Sequence, residues 1–131
     1  MILFDNNDLA TAEYDEGNEI IVFRTNSILA NKNTNLIENL LVSALKIAED
    51  KSIKGEIVDI RQLRGNFTKV IDYLSKTYYP RMHELGMKKA AYIVSTDHLG
   101  QNLVEKIATE TTTVEVMAFT EFKDAEKWVT S

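Results

Sequence analysis

The period of the apolar positions changes several times along this chain, and each change marks an element. Residues 9–14 and 19–28 read as two short strands. Between them stands Asp15-Glu16-Gly17-Asn18, whose glycine and asparagine suit the positive φ values of a hairpin loop. Ile20-Ile21-Val22-Phe23 is apolar on both faces and belongs inside a sheet, whereas Arg24, Asn26 and Ser27 make the far end polar. Leu36, Ile37, Leu40, Leu41, Ala44, Leu45 and Ala48 then recur at helical spacing, with Asn33, Thr34 or Asn35 as the N-cap. Lys51 and Lys54 follow the last turn, Gly55 ends the connection, and 56–60 is the next strand, with Asp59 intruding near its end.

The second helix follows the polar turn 61–66, capped by Asn66 or Thr68. Its stripe Val70, Leu74, Tyr78, Met82, Leu85 continues past Pro80, the only proline of the chain. A proline inside a helix removes a backbone hydrogen bond and clashes with the carbonyl four residues back, here Lys76, at about 3 kcal/mol. A bend is therefore expected at this point. Gly86 suits a left-handed helix terminator. Lys88 and Lys89 lead into a strand over 90–94 that is buried by composition. Ser95-Thr96-Asp97 caps or precedes a third helix with the stripe Leu103, Val104, Ile107 and Ala108. Residues 114–119 form the last strand, and Thr120 caps a short helix that buries Phe122, Ala125 and Trp128 or Val129.

The order β-β-α-β-α-β-α-β-α predicts an α/β fold with a mixed, mainly parallel five-stranded sheet covered by helices. Its first strand runs antiparallel to its hairpin partner. A length of 131 residues and a 44% hydrophobic content fit one packed domain over 1–131. The net charge of −5 and the scattered lysines and arginines argue against a nucleic-acid surface. The sequence contains no cysteine, which removes disulfides, thiolate metal sites and cysteine nucleophiles. The start of the chain carries no basic region or long apolar stretch, so no signal peptide is expected. No apolar run reaches the roughly 20 residues of a membrane helix, and a cytoplasmic location is the expectation.

Candidate chemistry is sparse. Asp59 and Arg61 stand at the carboxyl end of a parallel strand, where ligand crevices of α/β sheets form, and Ser95, Thr96 and Asp97 stand at the same end of the next. These five either line one polar crevice or satisfy loop amides and each other. Arg81 either anchors Asp59 or offers its planar fork to a carboxylate or phosphate. Tyr73, Tyr78 and Tyr79 cluster near the proline, and Tyr78, Tyr79 and Arg81 are candidates for a partner-binding patch. His83 and His98 are the only histidines and lack metal-ligand spacing. Asp97-His98 is adjacent in sequence, which does not build a triad. No cofactor, metal or catalytic residue is assigned.

Taken together, these motifs resemble the STAS-like domains of the SpoIIAA-like superfamily, which include the bacterial anti-sigma-factor antagonists and are akin to the Sec14 lipid-binding fold. Small single-domain bacterial members are most similar. Tyr79-Pro80-Arg81, Gly86-Met87-Lys88-Lys89, Val104-Glu105-Lys106 and the helix from Ala125 to Trp128 match their pattern. The antagonists carry a phosphorylated serine after the strand that precedes the second helix. Here 59–68 has no serine, so no phospho-switch is implied; Thr68 is the nearest hydroxyl and suits an N-cap. The resemblance implies a non-enzymatic regulatory or protein-interaction module with an unidentified protein partner, and it allows a homodimer. The Sec14 likeness implies a second reading, a binder of a small apolar or lipid-like ligand held in a cavity under the helices.

Overall fold

The computed structural model describes residues 2–6, 10–25, 34–64, 67–96 and 98–131. Strands β1 (Ile2–Asn6), β2 (Ala10–Asp15) and β3 (Ile20–Thr25) form an antiparallel meander. From β3 the sheet continues in parallel through β4 (Gly55–Asp59), β5 (Lys89–Ile93) and β6 (Glu115–Phe119). The six strands lie side by side in chain order. Five of them are the expected ones. β1 is additional: the short apolar run at residues 2–4 lies in a strand that pairs with β2 and extends the meander. Asn26, Ser27, Asn33 and Asn66 lie outside the described residues.

Each parallel step needs a crossover, and right-handed crossovers that all step the same way put their helices on one face of the sheet. These helices are α1 (Thr34–Asp50), a composite second helix, and α4 (His98–Glu110). The composite helix runs through α2 (Thr68–Tyr73), a π-helical turn (Leu74–Tyr78) and α3 (Tyr79–Glu84). Strand alternation then sorts the core. Ile21, Phe23, Ala90 and Tyr92 join Leu40, Leu41, Ala44, Leu74 and Ile107 in the larger cluster. Ile20, Val22, Ile57, Ala91 and Ile93 point the other way, onto α5 (Phe122–Val129), which contributes Ala125 and Val129.

Pro80 is accommodated by the π turn. The Tyr79 N–H reaches back five residues to the Leu74 carbonyl, and Pro80 falls in the first turn of α3, where its missing N–H matters least. The inserted residue shifts the buried face of the helix, so that Tyr78 and Tyr79 are both fully buried although adjacent.

Several local expectations are corrected. The left-handed residue of the β2–β3 turn is Glu19 (φ 58), not Gly17 or Asn18. Asp15 closes that turn by accepting the Asn18 backbone and side-chain N–H groups at 3.2 and 2.9 Å. Glu19 is held by its own partners: its carboxylate takes the Ser52 hydroxyl at 3.0 Å, and its carbonyl takes the Lys54 N–H at 2.7 Å. The N-cap of α2 is the buried Phe67, which is fixed by packing rather than by a side-chain cap, and Glu121 rather than Thr120 precedes α5. Ala108 is exposed, because the buried stripe of α4 runs through Val104 and Ile107. Gly86 ends α3 with φ +113, a left-handed conformation as expected.

The α5 face has a close approach of its own. A Cβ on Gly55 would lie 2.5 Å from Val129 Cγ2 and 3.0 Å from the Lys89 carbonyl, so only glycine lets α5 settle on β4. The Lys89 ammonium lies 5.2 Å from the centre of the Trp128 ring and donates to the Trp128 carbonyl at 3.2 Å and the Ser131 hydroxyl at 2.8 Å.

Candidate functional site

β4 contributes a carboxylate to the middle of the larger core. Glu56 pairs in register with Ile21 on β3 and Ala90 on β5, and it is fully buried. Its position follows from alternation: Gly55 and Ile57 face α5, so Glu56 and Val58 face the crossover helices. A buried carboxylate needs partners. The Tyr78 hydroxyl donates to Oε1 at 2.6 Å, and the Tyr79 hydroxyl donates to Oε2 at 2.6 Å. Tyr79 also meets the Tyr92 hydroxyl, which comes from β5 two residues beyond Ala90. The small side chain of Ala90 beside Glu56 leaves room for the phenols. The Tyr78 and Tyr79 rings pack edge to face, with centroids 5.1 Å apart.

Burial pushes the Glu56 carboxyl up from 4.5 to about 7, against the lowering effect of the two phenol hydrogen bonds. Burial, reinforced by the nearby Glu56, holds Tyr78 and Tyr79 well above the ordinary phenol value, and Tyr92 is raised for the same two reasons. Near neutral pH the cluster therefore consists of three neutral phenols around one acid poised to ionise.

Glu56 and Tyr92 form part of the wall of an apolar chamber between the sheet and the crossover helices. The chamber has a volume of about 70 Å³. Phe23 and Val58 come from the sheet, Ile37, Leu40 and Leu41 from α1, Val70, Ile71 and Leu74 from the second helix, and Leu103 and Ile107 from α4. Ile60, Leu63, Phe67, Ile71 and Leu103 also line a groove of about 390 Å³ that carries Arg64, Leu99 and Lys106, so chamber and groove share a wall. Thr25 and Asp59 place the chamber rim at the carboxyl ends of β3 and β4, where α/β sheets form ligand crevices.

The residues singled out in the sequence are dispersed by the fold. Asp59 and Arg61 pair with each other: the guanidinium donates to the two carboxylate oxygens at 3.0 and 2.7 Å, and the Arg61 N–H donates at 3.1 Å. This pair raises the Arg61 pKa, chiefly through the Asp59 hydrogen bond. Ser95 is half-buried beside the groove and Thr96 is exposed, while Asp97 lies outside the described residues. Arg81 pairs with Glu84 on its own helix at 3.1 Å, not with Asp59. Tyr78 and Tyr79 are not a surface patch, because the π turn directs both rings to Glu56. Among the described residues no group of three His, Asp or Glu converges as a metal site would, and no helix is long and apolar enough to cross a membrane.

Sequence reasoning passed over Glu56 and Tyr92. The available signal was a glutamate in an otherwise apolar parallel strand, which demands donors, in a chain with tyrosines enough to supply them.

A parallel sheet in chain order, an antiparallel meander at one edge and helices divided unequally between its faces define a SpoIIAA-like fold. The crystal structure of an uncharacterised protein from the DUF3478 family, with a SpoIIAA-like fold, from Shewanella loihica PV-4 superposes over 96% of this chain and 98% of that one. Its TM-score is 0.61 and its sequence identity 20%. No family model and no curated protein matches the sequence.

Proposed function

We propose that the protein is a non-enzymatic regulatory binding module that takes a small, largely apolar ligand in the chamber between the sheet and the crossover helices. One observation carries this reading: an apolar chamber of about 70 Å³ that reaches the carboxyl ends of β3 and β4. Cavities of about 150 Å³ with apolar walls stay dry and take benzene, so a chamber half that size suits a smaller or narrower guest. The buried acid supports binding rather than turnover, since both its oxygens are engaged by phenols and none of its surface is exposed.

Xenon is a suitable first probe. Under xenon pressure, methyl resonances of Leu40, Leu41, Val70, Leu103 and Ile107 should shift together while those on the α5 face stay still. Val58→Phe, which fills the chamber floor, should abolish the shifts. Xenon shifts spread evenly over both faces, or none at all, would sink the reading. A protein-interaction reading is favoured by Leu99, which is 68% exposed in the groove beside Arg64 and Lys106. The two readings are compatible, because the groove shares a wall with the chamber.

A further inference from the structure

The sheet ends in two different edges. At one end β1 shifts register between Ile2 and Phe4, an irregularity of the kind that blunts an edge against further pairing. At the other end β6 pairs with β5 in unbroken register and carries no proline and no lysine. The Glu115 N–H donates to the Lys88 carbonyl at 3.0 Å, and the Phe119 carbonyl accepts the Val94 N–H at 2.8 Å. Residues 115, 117 and 119 therefore turn their backbone groups to β5, and alternation turns the N–H and C=O of Val116 and Ala118 outward. Among the described residues these four groups have no partner. Ala118 is exposed and Met117 is 45% exposed. A cleft of about 700 Å³ follows Met117, Ala118 and Phe119 from Glu105 on α4 to Asp124 on α5, and one of about 320 Å³ follows 113–117. The charges along this edge have one sign: Glu105 and Asp124 line the larger cleft, Glu115 lines the smaller, and among the described residues no lysine or arginine lines either.

We propose that the β6 edge binds an extended basic segment of a partner protein, which joins the sheet as a seventh, antiparallel strand. In that orientation one partner residue exchanges both bonds with Val116 and another exchanges both with Ala118, so all four outward groups are paired. The partner residue between them falls beside Met117, which lies in register with Ala91 on the α5 face, and an apolar side chain fits there. The positions two before and two after it fall beside Phe119 and Glu115 on the same face, within reach of Asp124 and Glu115, and suit lysine or arginine. A second copy of this chain is the competing occupant. It would bring another Glu105, Glu115 and Asp124 to the same edge in a chain of net charge −5, so like charge opposes self-pairing and draws a basic segment instead. No residue of β6 lines the chamber, so this inference does not rest on the chamber reading.

The probe is the capped peptide Thr-Lys-Thr-Val-Thr-Lys-Thr, with glutamate in place of both lysines as the charge-reversed control. Titrated into the intact protein, the lysine peptide should shift the Val116 and Ala118 amide resonances and bind on the order of ten-fold tighter than the control at low salt. N-methylation of its third and fifth residues, whose N–H groups face β6, should abolish binding, whereas N-methylation of the central valine, whose N–H points away, should leave most of it. Ala118→Pro removes one outward donor without touching a bond to β5, and should weaken the lysine peptide about ten-fold. Glu115→Lys combined with Asp124→Lys should reverse the order of the two peptides, and serves if Ala118→Pro does not fold. Equal binding of the two peptides, or indifference to N-methylation at the third and fifth residues, would overturn the proposal. Self-association through 116–118 with neither peptide bound would assign the edge to a second copy, and would overturn it too. The xenon response of the chamber should be the same in all these variants, so failure at the edge leaves the chamber reading standing.

Discussion

The two faces of this sheet solve the same packing problem in opposite ways. On the crossover side a fully buried carboxylate is held by two phenols, one of them joined to a third, beside an apolar chamber. On the α5 side Ile20, Val22, Ile57, Ala91 and Ile93 meet Ala125 and Val129, and the closest approach depends on the absence of a Cβ at Gly55. Charged groups on that face stay at its edge: Lys89 reaches outward to the Trp128 ring and the last residue, and the Arg24 guanidinium lies 5.3 Å from the centre of the Phe122 ring. The α5 face is thus built from contact alone. The crossover face gives up contact and takes on a titratable polar cluster, an arrangement that favours recognition over stability.

The sharpest way to break this contrast is to remove one phenol oxygen. Tyr79→Phe leaves Oε2 of Glu56 and the Tyr92 hydroxyl without their partner. A loss of about 3 kcal/mol is expected in urea denaturation, with the larger share from the stranded carboxylate. Tyr78→Phe strands one oxygen only and should lose less. If both are neutral, the cluster contributes nothing that apolar packing would not.

The next effect is a pH dependence. Glu56 titrates at about 7 in the folded protein against an ordinary 4.5. Between these values the native protein keeps a proton that the unfolded chain has shed. Its contribution is therefore fully present below about pH 4.5 and is lost as the pH rises through 7, a swing of at most about 3 kcal/mol. The groups facing the acid are Tyr78, Tyr79 and Tyr92, and burial keeps these three phenols neutral over this window. The urea midpoint should fall between pH 5 and 7.5 in the wild type, and the fall should be smaller in Glu56→Gln. Equal slopes in the two proteins would move the pH dependence away from Glu56.

The smallest expected effect belongs to the α5 face. Gly55→Ala drives a Cβ to 2.5 Å from Val129 Cγ2, and the resulting overpacking should cost about 1–2 kcal/mol. Trp128, the only tryptophan, packs against Phe119 at 5.6 Å and would report the displacement of α5 by fluorescence. Gly55→Ala combined with Val129→Ala should lose less than the two single losses added together, because the Val129 contact is relieved and only the Lys89 carbonyl at 3.0 Å remains, while the methyl resonances of the chamber stay unchanged. A disturbance of the chamber in Gly55→Ala would show that the faces are coupled rather than independent.

Much of the architecture was legible from periodicity. The five expected strands, the helices between them, the glycine stop at Gly86 and the parallel run from β3 onward all follow from apolar spacing and turn chemistry, because those signals act over a few residues. The site was scarcely legible. Asp59 and Arg61 invited attention as strand-end polar residues, yet they bind each other. Tyr78 and Tyr79 were noticed beside Pro80, but the proline alone predicts a bend. It does not predict that a π turn would slide the helix face by one residue and bury both rings. Glu56 opens a strand, where a charged side chain at the sheet end is ordinary, and nothing in its neighbours marks it as buried.

The amino-acid sequence by itself determined the α/β class, the order of its elements and the special backbone positions Gly86 and Pro80, since each depends on local sterics and spacing. Only the tertiary structure decided that residues 56, 78, 79 and 92, brought from two strands and one helix, share a single hydrogen-bond chain. That assembly depends on register between β4 and β5 and on the π turn above them. Register and helix phase are set by the packing of the whole face, so no window of neighbouring residues could have announced it.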